Sequence, residues 1–141
     1  MPALFALIGR VLLAAIFIYA GYGKLMAHAG TVGYIAHGGL PMPELAYVVA
    51  VAVELGGGIL LLIGWQARAV AAVLALFCIV TAVVFHSDFA DRNMMIHFMK
   101  NLAIAGGMLQ VTAFGGGALS LDGRNESGTG ALPGTLPGAS L

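Results

Sequence analysis

An all-α membrane protein, with four transmembrane helices in an up-down-up-down bundle, is the fold that three observations predict. Of 141 residues, 60% are hydrophobic and 9% charged, and mean hydropathy is +0.99. A soluble domain carries about 25% charged residues, so this chain has too little polar surface to face water. Apolar runs long enough for the roughly 20 residues of a span recur along it. The connections between these runs are short, which sets successive helices side by side and antiparallel. Positive and negative side chains balance at six each, with no basic block. That excludes a nucleic-acid partner and leaves the lipid bilayer as the partner implied by composition.

The first span is expected over residues 3–25. A cleaved signal sequence is a poor account of it, because Arg10 interrupts the apolar part instead of preceding it. Residues 26–43 hold Gly30, Gly33, Gly38, Gly39, Pro41 and Pro43 and are too broken to span, though 31–37 suits a short interfacial helix. The second span is expected over 44–64, with the Glu44 carboxylate favoured at a helix N-terminus after Pro43. Trp65, Gln66, Ala67 and Arg68 form a turn that places an aromatic ring and a cation at the interface. A third span follows over 69–85 and a fourth over 94–114, stopped by Gly115, Gly116 and Gly117. Residues 1–121 thus make one transmembrane domain. From Asp122 the composition turns to Gly, Ser, Thr and Pro, and a disordered tail is expected over 122–141. Arg10, Arg68 and Arg124 fall on the side of the termini, against Lys24 and Arg92 opposite, so the positive-inside rule puts both termini in the cytoplasm.

Ionisable side chains inside these runs are the candidate site, since charge within hydrocarbon marks function or helix pairing. Glu54 falls near the middle of the second run. At about 1.5 Å per residue, Arg10 lies roughly 7 Å to the terminal side of mid-span and Lys100 roughly 6 Å to the other. An Arg10–Glu54–Lys100 cluster is therefore expected, with one positive charge left over. Lys24, near a helix end, reads as a snorkelling side chain, and Asn101 as a bridge between helices. His86 and His97 terminate neighbouring helices on the side opposite the termini, where His28 and His37 also lie. Four histidines on one side invite a metal, but they lack ligand-like spacing, and no metal site is assigned. Cys78 is the only cysteine, so no internal disulfide or paired-thiol redox centre is available. Gly56, Gly57, Gly58, Gly106 and Gly107 suit close packing between membrane helices. Ala14, Phe17, Gly21 and Lys24 share the face of Arg10 and form one inward stripe.

Several of these residues fall into a recurring order. Gly9-Arg10 opens the first run, which Ala20-Gly21-Tyr22-Gly23-Lys24-Leu25 closes. Gly39-Leu40-Pro41-Met42-Pro43 and Val53-Glu54-Leu55-Gly56-Gly57-Gly58 follow, then Gly64, Arg68 and Phe85-His86. His97-Phe98-Met99-Lys100-Asn101-Leu102-Ala103-Ile104-Ala105-Gly106-Gly107 and Leu119-Ser120-Leu121-Asp122 complete the pattern. In this the chain resembles the DoxX family over most of residues 9–122. The resemblance implies a four-helix protein of the bacterial inner membrane. It also implies a link to sulfur or thiosulfate oxidation through quinones, or to redox defence, alongside partner redox proteins.

Together these features suggest a quinone-interacting subunit of a redox complex, with quinone the ligand or cofactor. Its ligand-binding residues would be Arg10, Lys24, Glu54, His86, His97, Lys100 and Asn101, and no residue is assigned a catalytic role. A binding or transport module for a small molecule, or a scaffold whose charges only lock helices, is the alternative.

Overall fold

The computed structural model describes residues 1–129, and all of its regular structure there is helical. Helix α1, Pro2–Met26, starts on a proline at its first position and buries Arg10, Ala14, Phe17 and Gly21. The spacing of four, three and four keeps these on one face, the stripe expected from the sequence. A break at Ala27 leads into α2, His28–His37, longer at its start than the 31–37 segment anticipated. Helix α3, Pro43–Val51, passes into a π turn at Ala52–Gly56 and continues as α4, Gly57–Ile63.

Gly64 ends α4 with φ 72°. Its N–H reaches the Leu61 carbonyl at 3.1 Å, and the Trp65 N–H reaches that of Leu60 at 3.1 Å. This is the paired closure of a Schellman motif, which glycine adopts without strain. Helix α5, Ala67–Phe85, begins two residues ahead of the expected third run. Helix α6, Arg92–Phe114, is capped by Asp91, whose carboxylate accepts from the Asn93 N–H at 2.7 Å. Leu121–Thr129 form α7. The expected tail therefore divides: residues 122–129 are helical, and 130–141 lie outside the described residues.

Three helical stretches are long and apolar enough to cross a membrane: Pro2–Met26, Pro43–Ile63 and Ala67–Phe85. Only 17%, 22% and 28% of their apolar windows are buried within the protein. Side chains such as Leu12, Leu76 and Val83 point outward, where hydrocarbon rather than water suits them. Helix α6 has the length of a span, but Arg92, Asn93, His97, Lys100 and Asn101 dilute its first half.

The helices associate as two antiparallel pairs. In one, Lys24, Gly21 and Ile18 of α1 meet Tyr47, Leu55 and Gly58 in turn. In the other, Thr81 of α5 and His86 just beyond its end meet Asn101 and His97 of α6. The pairs join through Gly57 on Leu74 and Gly107 on Leu13. Around this junction lies the core of Ala14, Phe17, Leu61, Ala71, Leu74, Ala75, Cys78, Ala105 and Met108. Toward Lys24 and His97 the pairs enclose a cavity, and α2 bridges them there, with Tyr34 stacked on Phe85 of α5 at 5.3 Å.

Candidate functional site

Two polar centres occupy opposite ends of the bundle. At the end bearing the N-terminus, Arg10 is 3% exposed. Its Nη1 donates to the Gly116 carbonyl and its Nη2 to that of Leu119 at 2.7 Å. Gly115 and Gly117 take φ of 83° and 82°, turning the chain so that its carbonyls face the guanidinium. The same segment returns Asp122 to the start of α5. There its carboxylate accepts from the Gln66 N–H at 2.8 Å and the Ala67 N–H at 2.7 Å. An acidic group at a helix N-terminus satisfies donors that the helix leaves open. Arg10 is thus the clasp of a chain reversal. The expected Arg10–Glu54 contact does not form, because backbone carbonyls beyond α6 take the guanidinium first.

Glu54 has a different partner. Its Oε2 lies 2.7 Å from Lys24 Nζ. The expectation that Lys24 merely snorkels is corrected: from the last turn of α1, its side chain reaches Glu54, which is 7% exposed. Three features bring the two together. The π turn widens the helix at Glu54, and such turns recur at functional sites. Gly21 lets α1 press on that turn, since a Cβ there would stand 2.8 Å from the Leu55 nitrogen. The Tyr47 hydroxyl donates to the Lys24 carbonyl at 3.3 Å and pins the end of α1 to α3.

This ion pair lies on the wall of a cavity of about 460 Å³ between the helix pairs. That falls within the roughly 300–1,000 Å³ typical of small-molecule pockets. Lys24, Glu54, His86, His97, Lys100 and Asn101 all line it, among walls that are otherwise largely apolar. Six of the seven residues singled out from sequence therefore converge, and Arg10 alone stands apart. The His86 and His97 rings stack with centroids 5.2 Å apart. Burial and the neighbouring His97 both push the His86 pKa below its ordinary value. Asn101 donates to the His97 carbonyl at 3.0 Å, and its Oδ1 lies 3.5 Å from Thr81 Oγ1, which ties α6 to α5. Lys100 has no acidic group within salt-bridge distance among the described residues. The cavity thus holds two ammonium groups and one carboxylate.

The other histidines are peripheral. His28 Nε2 lies 3.0 Å from Glu44 Oε2, and its ring meets Tyr47 edge-on at 4.6 Å. Neither His28 nor His37 lines the cavity. Among the described residues no group of three or more potential ligands stands ready for a metal. Cys78, Thr81 and Tyr34 line the cavity without having been singled out. A helical signal existed for two of them, since Cys78, Thr81 and Phe85 lie at i, i+3 and i+7 on one face of α5.

The family model for DoxX matches residues 5–87, from α1 to the end of α5. Inner membrane protein YqjF of Escherichia coli (strain K12) is 41% identical over 116 residues, covering 82% of this chain and 88% of that protein. Inner membrane protein YphA of the same organism is 40% identical over 124 residues, covering 84% and 88%. No solved structure matches. With a matched region that includes Arg10, the Lys24–Glu54 pair and His86, and with three spans' worth of outward-facing hydrocarbon, this chain is an integral inner-membrane protein that belongs to the DoxX family.

Proposed function

We propose that the cavity binds a quinone, and that the protein serves as the membrane subunit of a redox assembly whose electrons arrive from a partner protein. In this reading α6 is the fourth span, the helices alternate up and down, and both termini are cytoplasmic. The observation that carries it is Lys100, an exposed ammonium with no acidic partner among the described residues, at the edge of an otherwise apolar cavity.

An unpaired cation in such surroundings is costly and gains from an oxygen acceptor. A quinone supplies two carbonyl oxygens on an apolar ring, and on reduction it takes up two electrons and two protons. Lys100 donates a hydrogen bond to one carbonyl. The Lys24–Glu54 pair and the stacked His86 and His97 border the same space, where their exchangeable protons can serve proton delivery. Neither a cysteine pair nor another resident redox group is needed on this chain.

Binding of a short-chain quinone analogue to the purified protein tests this. A hydrogen bond to a charged group contributes about 1.5–3 kcal/mol, so Lys100→Ala should weaken binding about tenfold or more, while Arg92→Ala, outside the cavity, leaves it unchanged. Absence of binding by the wild type, or equal binding by Lys100→Ala, rejects the reading.

A further inference from the structure

The cavity has a hydrocarbon-bordered opening in its side. Helix α5 packs on α4 and the π turn but has no comparable contact with α3. Counting outward from the Gly57–Leu74 contact along the antiparallel helices brings Val49 of α3 level with Val80 to Val84 of α5. Val49 and Val80 both line the cavity, yet they are 50% and 49% exposed. A residue that faces a cavity and the exterior together marks the edge of an opening. At this depth in a span, the exterior is acyl chain. The opposite seam, between α1 and α6, is bordered by Ile16 and by the exposed ammonium of Lys100, which disfavours the passage of hydrocarbon.

We infer that the ligand is a quinone bearing a long hydrocarbon tail, held with its ring at Lys24, Glu54 and Lys100 and its tail leaving into the bilayer between Val49 and Val80. This rests on the quinone reading of the cavity and adds a specificity device to it. The polar groups select the ring, and the valine seam selects the chain. A cavity of about 460 Å³ holds a ring and the start of a tail. The remaining methylenes stay in lipid, and the ligand need never cross water to enter.

The test compares two probes on the full-length protein in one detergent: a benzoquinone with a ten-carbon tail, and the same ring without it. Each variant is compared with wild type for the same probe, so partition into detergent cancels. Val49→Trp and Val80→Trp should each weaken the tailed probe about tenfold and leave the tail-less ring within about threefold. Val83→Trp, outward-facing and outside the cavity, should change neither. Val49→Phe and Val80→Phe provide a milder block should a tryptophan prevent folding, which loss of the tail-less ring would reveal. Two results overturn the inference: seam variants that leave the tailed probe unaffected, or Ile16→Trp alone removing it. If neither probe binds wild type, the quinone reading itself falls.

Discussion

Lys24 and Glu54 are the residues whose mutual dependence is easiest to measure. Removing one member of a buried pair strands the other, at about 3–5 kcal/mol when both are fully buried. The Lys24 side chain is 28% exposed, so Lys24→Met should cost less, yet still lower the melting temperature clearly. Lys24→Met combined with Glu54→Leu should recover most of that loss, since no charge then remains uncompensated; thermal unfolding in detergent of the three variants decides it. His86 supplies a pH dependence. Its folded pKa lies below the unfolded value of about 6.5, so the unfolded chain binds the proton more readily. Stability is then full above about pH 6.5 and declines as pH falls below it. His86→Gln should flatten that decline in unfolding curves between pH 7.5 and 5. The sequence disclosed that Glu54 must have a cationic partner, but not which one. Depth along a span constrained the choice to two candidates, whereas the contact depended on a π turn that no residue pattern announces. Lys24 stands near the helix end, and Gly21, the glycine that lets α1 approach, reads from the sequence only as one member of the inward stripe that carries Arg10.

Among the elements, the turn from α4 to α5 and the segment after α6 act as one device. Gly64 closes α4 in a left-handed conformation, and a side chain there would also meet Ser120 and Arg10. Gly64→Ala should cost about 1–2 kcal/mol from backbone strain alone, with crowding of the guanidinium added. Asp122 supplies the cap that α5 lacks locally, because Gln66 offers no side-chain bond. Asp122→Ala should therefore lower stability by about 1 kcal/mol, with Asp122→Asn retaining part of it; chemical unfolding of both variants measures the difference. The long helices were legible because apolar length and Gly/Pro breaks are local properties. Helix α7 was not, since its polar, charged composition gives no apolar face. Its start is instead held by Arg10 and Gly64, through bonds spanning more than fifty residues of chain.

At the scale of the molecule, the proposed arrangement of four crossings makes a topological prediction. Green fluorescent protein fused at either terminus should fluoresce, whereas a periplasmic phosphatase inserted near Phe89 should be the active fusion. The reverse pattern would invert the bundle. Six candidate residues met at one cavity because sparse polar side chains in apolar helices have few places to go. Arg10 obeyed the same rule at the other end, where free backbone carbonyls were nearer than any carboxylate. A molecule tied by a guanidinium at one pole and bridged only through the short α2 at the other resembles a spring clip, and its rigidity should be graded along the membrane normal. Amides around Leu61 and Met108 should then exchange with deuterium far more slowly than those around Ile35 and Ile96. The looser pole has room to yield to a guest while the tighter one keeps the subunit whole.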